Sequence, residues 1–261
     1  MNLGLEDKVV IVTGGSKGIG LACARAFLEE GARVAIVSRS PENLDTALRD
    51  LGAPADDLVA VPCDLIGRAA AHAMVVKIEQ RLGPADILIN SAGAAKRYMP
   101  EDLSTEAWHA AMDAKYFTYI HAMDAVLSGM TKRGKGAVVN IIGMGGKVAT
   151  PIHLPGGAAN SALMLVTVGL ANVYGPKAIR INAINPGATM TERVQEALNL
   201  EAKMKGLSAS EVLAQQQSKV PLKRYAAPED IANLTLFLAS DKASYITGAV
   251  VPMDGGLNPV L

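Results

Sequence analysis

The sequence predicts an α/β fold: a Rossmann-type doubly wound parallel sheet of about seven strands, in one domain spanning residues 1–261. Three observations predict it. Short runs rich in Val and Ile recur without polar alternation, as strands do in a parallel sheet covered on both faces. Longer stretches with helical patterning separate these runs and are long enough for crossover helices. No repeat, low-complexity tract or Gly/Ser/Pro linker divides the chain.

The expected strands are Val9–Val12, Val34–Val37, Leu58–Val61, Ile87–Ile89, Ala137–Ile142, Ile179–Ile184 and Ala249–Val251. In such sheets ligands bind beyond the carboxyl ends of the strands, so the residues after each one carry the functional signal. The first strand runs into Thr13-Gly14-Gly15-Ser16-Lys17-Gly18-Ile19-Gly20. A glycine-rich turn opening a helix lets backbone N–H groups approach a pyrophosphate. The helix from Leu21 to Glu30 stops at Gly31. The second strand ends Val37-Ser38-Arg39-Ser40, where an acid would bind a ribose 2′-hydroxyl and an arginine suits a 2′-phosphate. Arg39, with Lys17 on the glycine loop, favours NADP(H) over NAD(H). The third strand ends Cys63-Asp64-Leu65 and the fourth Asn90-Ser91-Ala92-Gly93.

Composition bounds the function. With 25 basic and 25 acidic side chains the net charge is zero, which argues against a nucleic-acid binder or one held to acidic membranes. No apolar run approaches the roughly 18 residues of a membrane span. The N-terminus resembles no signal peptide, so a cytoplasmic protein is expected. Cys23 and Cys63 are too few for a disulfide scaffold and lack metal-ligand spacing, so no metal site is expected.

Thr-Gly-x-x-x-Gly-x-Gly from Thr13, Asp64-Leu65 and Asn-x-Ala-Gly from Asn90 resemble the short-chain dehydrogenase/reductase family. Asn185-Pro186-Gly187 with Thr191, Pro228 to Ala232, and Ile246 through Gly256 extend the likeness over nearly the whole chain. The resemblance implies roles. Gly14, Ser16, Lys17 and Ile19 would line the pyrophosphate and ribose, with Ser38 and Arg39 at the 2′-position. Asp64 would accept from the adenine amino group beside Leu65. Asn90, Ala92 and Gly93 would flank the riboses, and Pro186, Gly187 and Thr191 would cover the nicotinamide.

The family's catalytic Asn, Ser, Tyr and Lys do not all find matches. The serine should follow Asn140 by three residues, and Gly143 stands there. The tyrosine and lysine fall on Gly156 and Asn160, and no Tyr-x-x-x-Lys exists in the chain. The asparagine should follow Trp108 by about seven residues, at Lys115. By this spacing Asn and Lys read as exchanged between two helices, a reading that competes with drift in a dead site. Glycine supplies no proton. Candidate replacements are Lys115, if burial lowers its pKa, and His153. Lys96, Tyr98 and Lys147 are weaker candidates, each more simply read as a solvated surface group.

Residues of about 190–220 should form a lid. The first helix there ends near Gly206, and Ser208 to Glu211 reads as a capping box opening a second. The helix Ala158–Val173 is apolar nearly all round, which suggests burial against both the sheet and a second subunit. Family dimers and tetramers use this helix, so a homotetramer is expected. The leading reading is an NADP-dependent oxidoreductase acting on a small carbonyl or alcohol through a non-standard site. A lyase, isomerase or hydrolase on the same scaffold, and a non-catalytic NADP-binding or partner-binding module, are the alternatives.

Overall fold

The computed structural model describes residues 2–93 and 96–259. Its elements alternate as the sequence predicts. β1 (Val9–Thr13), α1 (Gly18–Glu29), β2 (Arg33–Ser38), α2 (Pro41–Leu51), β3 (Leu58–Pro62), α3 (Arg68–Leu82) and β4 (Ile87–Asn90) form the first half. The second holds α4 (Thr105–Ala111), α5 (Thr118–Arg133), β5 (Gly136–Ile141), α6 (Leu154–Tyr174), β6 (Ile179–Pro186), α7 (Glu192–Lys205), α8 (Ala209–Gln217), α9 (Pro228–Ala239) and β7 (Val250–Met253). The strands form one all-parallel sheet in the order β3-β2-β1-β4-β5-β6-β7.

The uninterrupted apolar runs have a simple cause. Val9 and Ile11 face one layer, with Ile78, Tyr119, Met123 and Leu163. Val10 and Val12 face the other, with Phe27, Leu44, Ile231 and Leu236. Side chains alternate across the pleat, so covering both faces makes the strands mostly apolar, with buried polar residues such as Thr13, Asn90 and Asn140 near their carboxyl ends. Each fully buried Val or Ile contributes roughly 1.5–3 kcal/mol.

Register aligns the functional edge. Thr13 pairs with Val37 on one side and Asn90 on the other, and Asn90 pairs with Asn140. The carboxyl ends of β1, β2, β4 and β5 therefore finish at one level.

Two departures from the sequence reading matter. The helical stretch that carries Trp108 and Lys115 is not α-helical throughout. Between α4 and α5 the segment Met112–Phe117 is a π-helical turn. An apolar helical pattern does not reveal such a turn, because one extra residue leaves most of the buried face in place. The second concerns membrane length. Pro151–Lys177, which contains α6, is long and apolar enough to cross a membrane by length and composition alone. Charged residues are sparse there, but the apolar residues are interrupted by glycines and small polar groups. Ala159, Leu163, Thr167 and Ala171 bury one face of α6 in the protein, as a core helix does. Leu165, Val168 and Val173 leave the other face exposed.

The lid segment folds as two helices. α7 ends at Gly206 with φ +64°. Ser208 accepts from the Glu211 amide, and the Glu211 carboxylate accepts from the Ser208 amide, completing the capping box of α8.

Candidate functional site

The nucleotide edge is built from β1 outward. Gly14 has φ +68°, and a Cβ there would lie 2.7 Å from the Ser91 carbonyl oxygen. A Cβ on Gly20 would lie 2.2 Å from the Gly14 carbonyl oxygen. Both glycines are demanded by close backbone packing, which folds the loop against the segment after β4. Buried Thr13 fixes that contact: its Oγ1 accepts from the amides of Ser91 and Ala92. Ser16 is buried on the loop and Ile19 half-buried. Lys17 is paired with Glu192 at the start of α7, Nζ to Oε2 3.2 Å. Thr191 caps α7 beside the loop, its Cγ2 3.3 Å from where a Gly18 Cβ would stand. α7 thus begins against the glycine-rich loop.

Ser38 is half-buried at the end of β2. Arg39 is exposed, with no ion-pair partner among the described residues. That leaves its five donors available to a phosphate. Asp64 accepts the Ile66 amide at 3.1 Å, which fixes the turn and leaves its second oxygen open, while Leu65 is buried. Asn90 differs from the expectation. Its side chain is buried and donates to Asn140 at 3.0 Å, and Asn140 donates to Thr167 on α6 at 3.0 Å. The Asn90 amide ties sheet to helix, so any contact it makes to a ribose comes from its backbone. Gly187 lies against Asp254, whose Cα is 2.9 Å from where a Gly187 Cβ would stand. This holds Pro186 and Gly187 over the end of β6.

The chemical end centres on the π-turn. Gly93, with φ +87°, passes so close that a Cβ would fall 2.0 Å from the Ala114 carbonyl oxygen. The turn carries Lys115, which is only 7% exposed. Lys115 Nζ donates to the Tyr119 hydroxyl at 2.7 Å and to the Ile141 carbonyl at 3.1 Å. Tyr119 donates to the same carbonyl, and Nζ lies 4.4 Å from the Tyr119 ring centre. Among the described residues no carboxylate contributes to this cluster. Burial above all, then the Arg193 guanidinium, brings the Lys115 pKa down from 10.5 to about 7. The sequence reading missed Tyr119, although its place four residues after Lys115 put both on one helical face.

The turn after β5 faces α6. Gly143 has φ +128°, and a Cβ there would meet the Asn160 amide nitrogen at 3.4 Å. A Cβ on Gly145 would lie 3.2 Å from His153 Cδ2 and 3.6 Å from the same Asn160 nitrogen. The structure therefore groups Asn160 and His153 around the Gly143–Gly145 turn, with Lys115 below it against Ile141. Asn160 is buried, and its amide has no hydrogen-bond partner among the described residues. His153 Nδ1 is likewise buried without a partner. Burial, then Arg97 and Lys115, hold the His153 pKa below its usual value. The same surroundings that disfavour its charged form make it a weaker base than a solvated imidazole. Gly156 is buried in the first turn of α6. Lys96 and Lys147 are exposed and Tyr98 half-buried, and none makes a side-chain contact with Lys115.

A cavity of about 310 Å³ opens beside His153, lined also by Trp108, Lys147, Thr150 and Ser161, while Lys115 and Asn160 do not line it. Among the described residues no cluster of His, Cys, Asp and Glu has the makings of a metal site.

Known proteins place this geometry. The solved structure of L-sorbose reductase from Gluconobacter frateurii, complexed with NADPH and L-sorbose, is 29% identical and superposes with a TM-score of 0.94 over 100% of both chains. A short chain oxidoreductase from Pseudomonas aeruginosa PAO1, solved with NADPH and containing an atypical catalytic center, is 31% identical. It gives a TM-score of 0.87 over 97% of this chain and 98% of that one. The 2-(S)-hydroxypropyl-CoM dehydrogenase 3 of Xanthobacter autotrophicus is 33% identical over 98% of both chains. The family model for enoyl-(acyl carrier protein) reductase matches residues 14–258. With its seven-stranded parallel sheet and glycine-rich first turn, the chain belongs to the short-chain dehydrogenase/reductase family.

Proposed function

We propose that the protein is an NADP(H)-dependent oxidoreductase that interconverts a small carbonyl compound and its alcohol, with Lys115 as the proton-transfer group. The observation that carries this reading is Lys115 itself: a buried amine whose pKa of about 7 lets it give or take a proton at neutral pH. When bound, NADPH supplies hydride. The chain's residues hold and protonate the substrate. Arg39 binds the 2′-phosphate, and Gly14, Ser16, Lys17 and Ile19 receive the pyrophosphate. Asp64, Leu65, Ala92, Gly93, Pro186, Gly187 and Thr191 complete the nucleotide and nicotinamide contacts.

In this reading Gly143, Gly156 and Asn160 stand where the family's Ser, Tyr and Lys would fall by spacing, and the site has been rebuilt: Lys115 and Asn160 have exchanged residue types across the π-turn and α6. Asn160, with its unbonded amide, orients the substrate oxygen. Tyr119 and the Ile141 carbonyl fix Lys115, and His153 stands across the Gly143–Gly145 turn from it. The NADPH-bound relative with an atypical catalytic center supports a catalytic outcome over a dead site.

The test is a screen of carbonyl compounds and alcohols, followed by the NADPH absorbance, with Lys115→Met as control. Turnover is expected in the native protein, falling by roughly 10²–10⁴-fold in the variant. Unchanged turnover in Lys115→Met would remove the assignment, and no turnover with any compound despite tight NADPH binding would remove the oxidoreductase reading.

A further inference from the structure

Lys115 is held by uncharged dipoles, and among the described residues it has no counter-ion. Tyr119, four residues on in α5, is 0% exposed and belongs to the layer of Ile11, Met123 and Leu163. A phenol buried there must commit its hydroxyl to the protein. It has one proton, which it donates to the Ile141 carbonyl. Its lone pairs are left to accept from Lys115 Nζ, 2.7 Å away. Nζ also donates to the Ile141 carbonyl at 3.1 Å, so one oxygen takes both donors. The ring centre lies 4.4 Å from Nζ, close enough for its π cloud to favour a cation. Each of these contacts asks Nζ to donate. An ammonium has three protons to give, so the arrangement suits the charged form.

Burial and Arg193 on α7 act the other way. His153, across the Gly143–Gly145 turn, is the remaining titratable group that interacts with Lys115. A carboxylate in place of the phenol would lock the proton on, because its loss would strand a bare buried anion. Neutral dipoles hold the ammonium and leave no bare charge behind once the proton has gone.

We propose that Tyr119 is a positioning residue: its hydroxyl and ring, with the Ile141 carbonyl, hold Lys115 as an ammonium in a cradle that contains no counter-ion. The phenol touches no reacting atom and acts through Lys115, whose readiness to part with a proton it governs. The catalytic meaning of the cradle rests on the reading of Lys115 as the proton-transfer group. The cradle itself is testable without turnover.

Lysine labelled with ¹³C at Cε and tyrosine at Cζ allow both groups to be followed by NMR through a pH titration. Lys115→Met and Tyr119→Phe identify the two signals. In the native protein the Tyr119 Cζ signal should move with the Lys115 midpoint. In Tyr119→Phe that midpoint should fall by roughly one pH unit or more, a tenfold or greater loss of proton affinity. Val126→Ala, which empties a buried site two turns further along α5, should leave it in place. A midpoint unmoved in Tyr119→Phe, or moved equally by Val126→Ala, overturns the inference. So does a Tyr119 signal that stays still while Lys115 titrates, a readout that needs no variant to fold. Where a carbonyl compound is turned over, the inflection in kcat should follow the NMR midpoint in Tyr119→Phe, with KM for NADPH unchanged. A midpoint that moves in a protein without turnover removes the oxidoreductase reading and leaves the cradle. An inflection that stays while the midpoint moves removes Lys115 as the proton-transfer group.

Discussion

Lys115 is buried in native protein and solvated in the unfolded chain, and this difference makes two pH predictions. As the acid in carbonyl reduction it must be protonated, so reduction should fall as pH rises through about 7, and alcohol oxidation should rise over the same range. Rate profiles lacking an inflection near neutrality would exclude it as the proton-transfer group. Its effect on stability follows from linkage. The folded pKa lies below the unfolded one, so between about 7 and 10.5 the unfolded chain binds more protons. Stability therefore rises with pH across that window as far as this group is concerned. Lys115→Met should be more stable than the native protein at pH 6, with the gap narrowing towards pH 10, as read by denaturant titration. Arg39 is the other decisive residue. Arg39→Ala should weaken NADPH binding by roughly 10–100-fold and leave NADH nearly unaffected, because only NADPH offers a 2′-phosphate. Equal losses for the two nucleotides would mean that Arg39 does not touch that phosphate. Both residues were legible in the sequence, Arg39 from its place after the second strand and Lys115 from its spacing to Trp108. The company Lys115 keeps was not: Arg193, whose charge acts on it, is far from it in the chain, and only the tertiary fold brings it near.

At the scale of elements, the π-turn between α4 and α5 is the feature that positions the site. It presents Lys115 inward and accepts the backbone of Gly93 from the neighbouring segment. Gly93→Ala should push the turn away, since its Cβ would overlap the Ala114 carbonyl and its φ of +87° disfavours any side chain. A loss of roughly 1–3 kcal/mol in stability is expected from the backbone strain alone, with a shift in the pH profile of any turnover. A variant with native stability and profile would show that the turn adapts freely. Strands were easy to read because two-sided burial forces apolar runs. The α8 capping box was equally plain, since it is written in two residues, Ser208 and Glu211. The π-turn was hidden because its inserted residue alters hydrogen bonding more than hydrophobic pattern.

At the scale of the whole molecule, α6 has a packed face and an open one. Leu165 is 76% exposed, and Val168 and Val173 share its side of the helix. We propose that a second copy of the chain covers this face, giving a dimer or tetramer. Leu165→Glu should then yield a smaller species by light scattering, with the fold intact by circular dichroism. An unchanged molar mass would exclude the α6 face as the interface. The apolar character of α6 was visible in the sequence. Which side met the sheet was not, because its residues are apolar nearly all round and carry little helical asymmetry.

The backbone at Gly143 limits what can be grafted onto this turn. With φ at +128° and the Asn160 amide facing it, the position is open to glycine and strained for serine by roughly 1–3 kcal/mol. A hydroxyl engineered there meets a turn shaped for glycine, so the graft calls for moving the turn and Asn160 together.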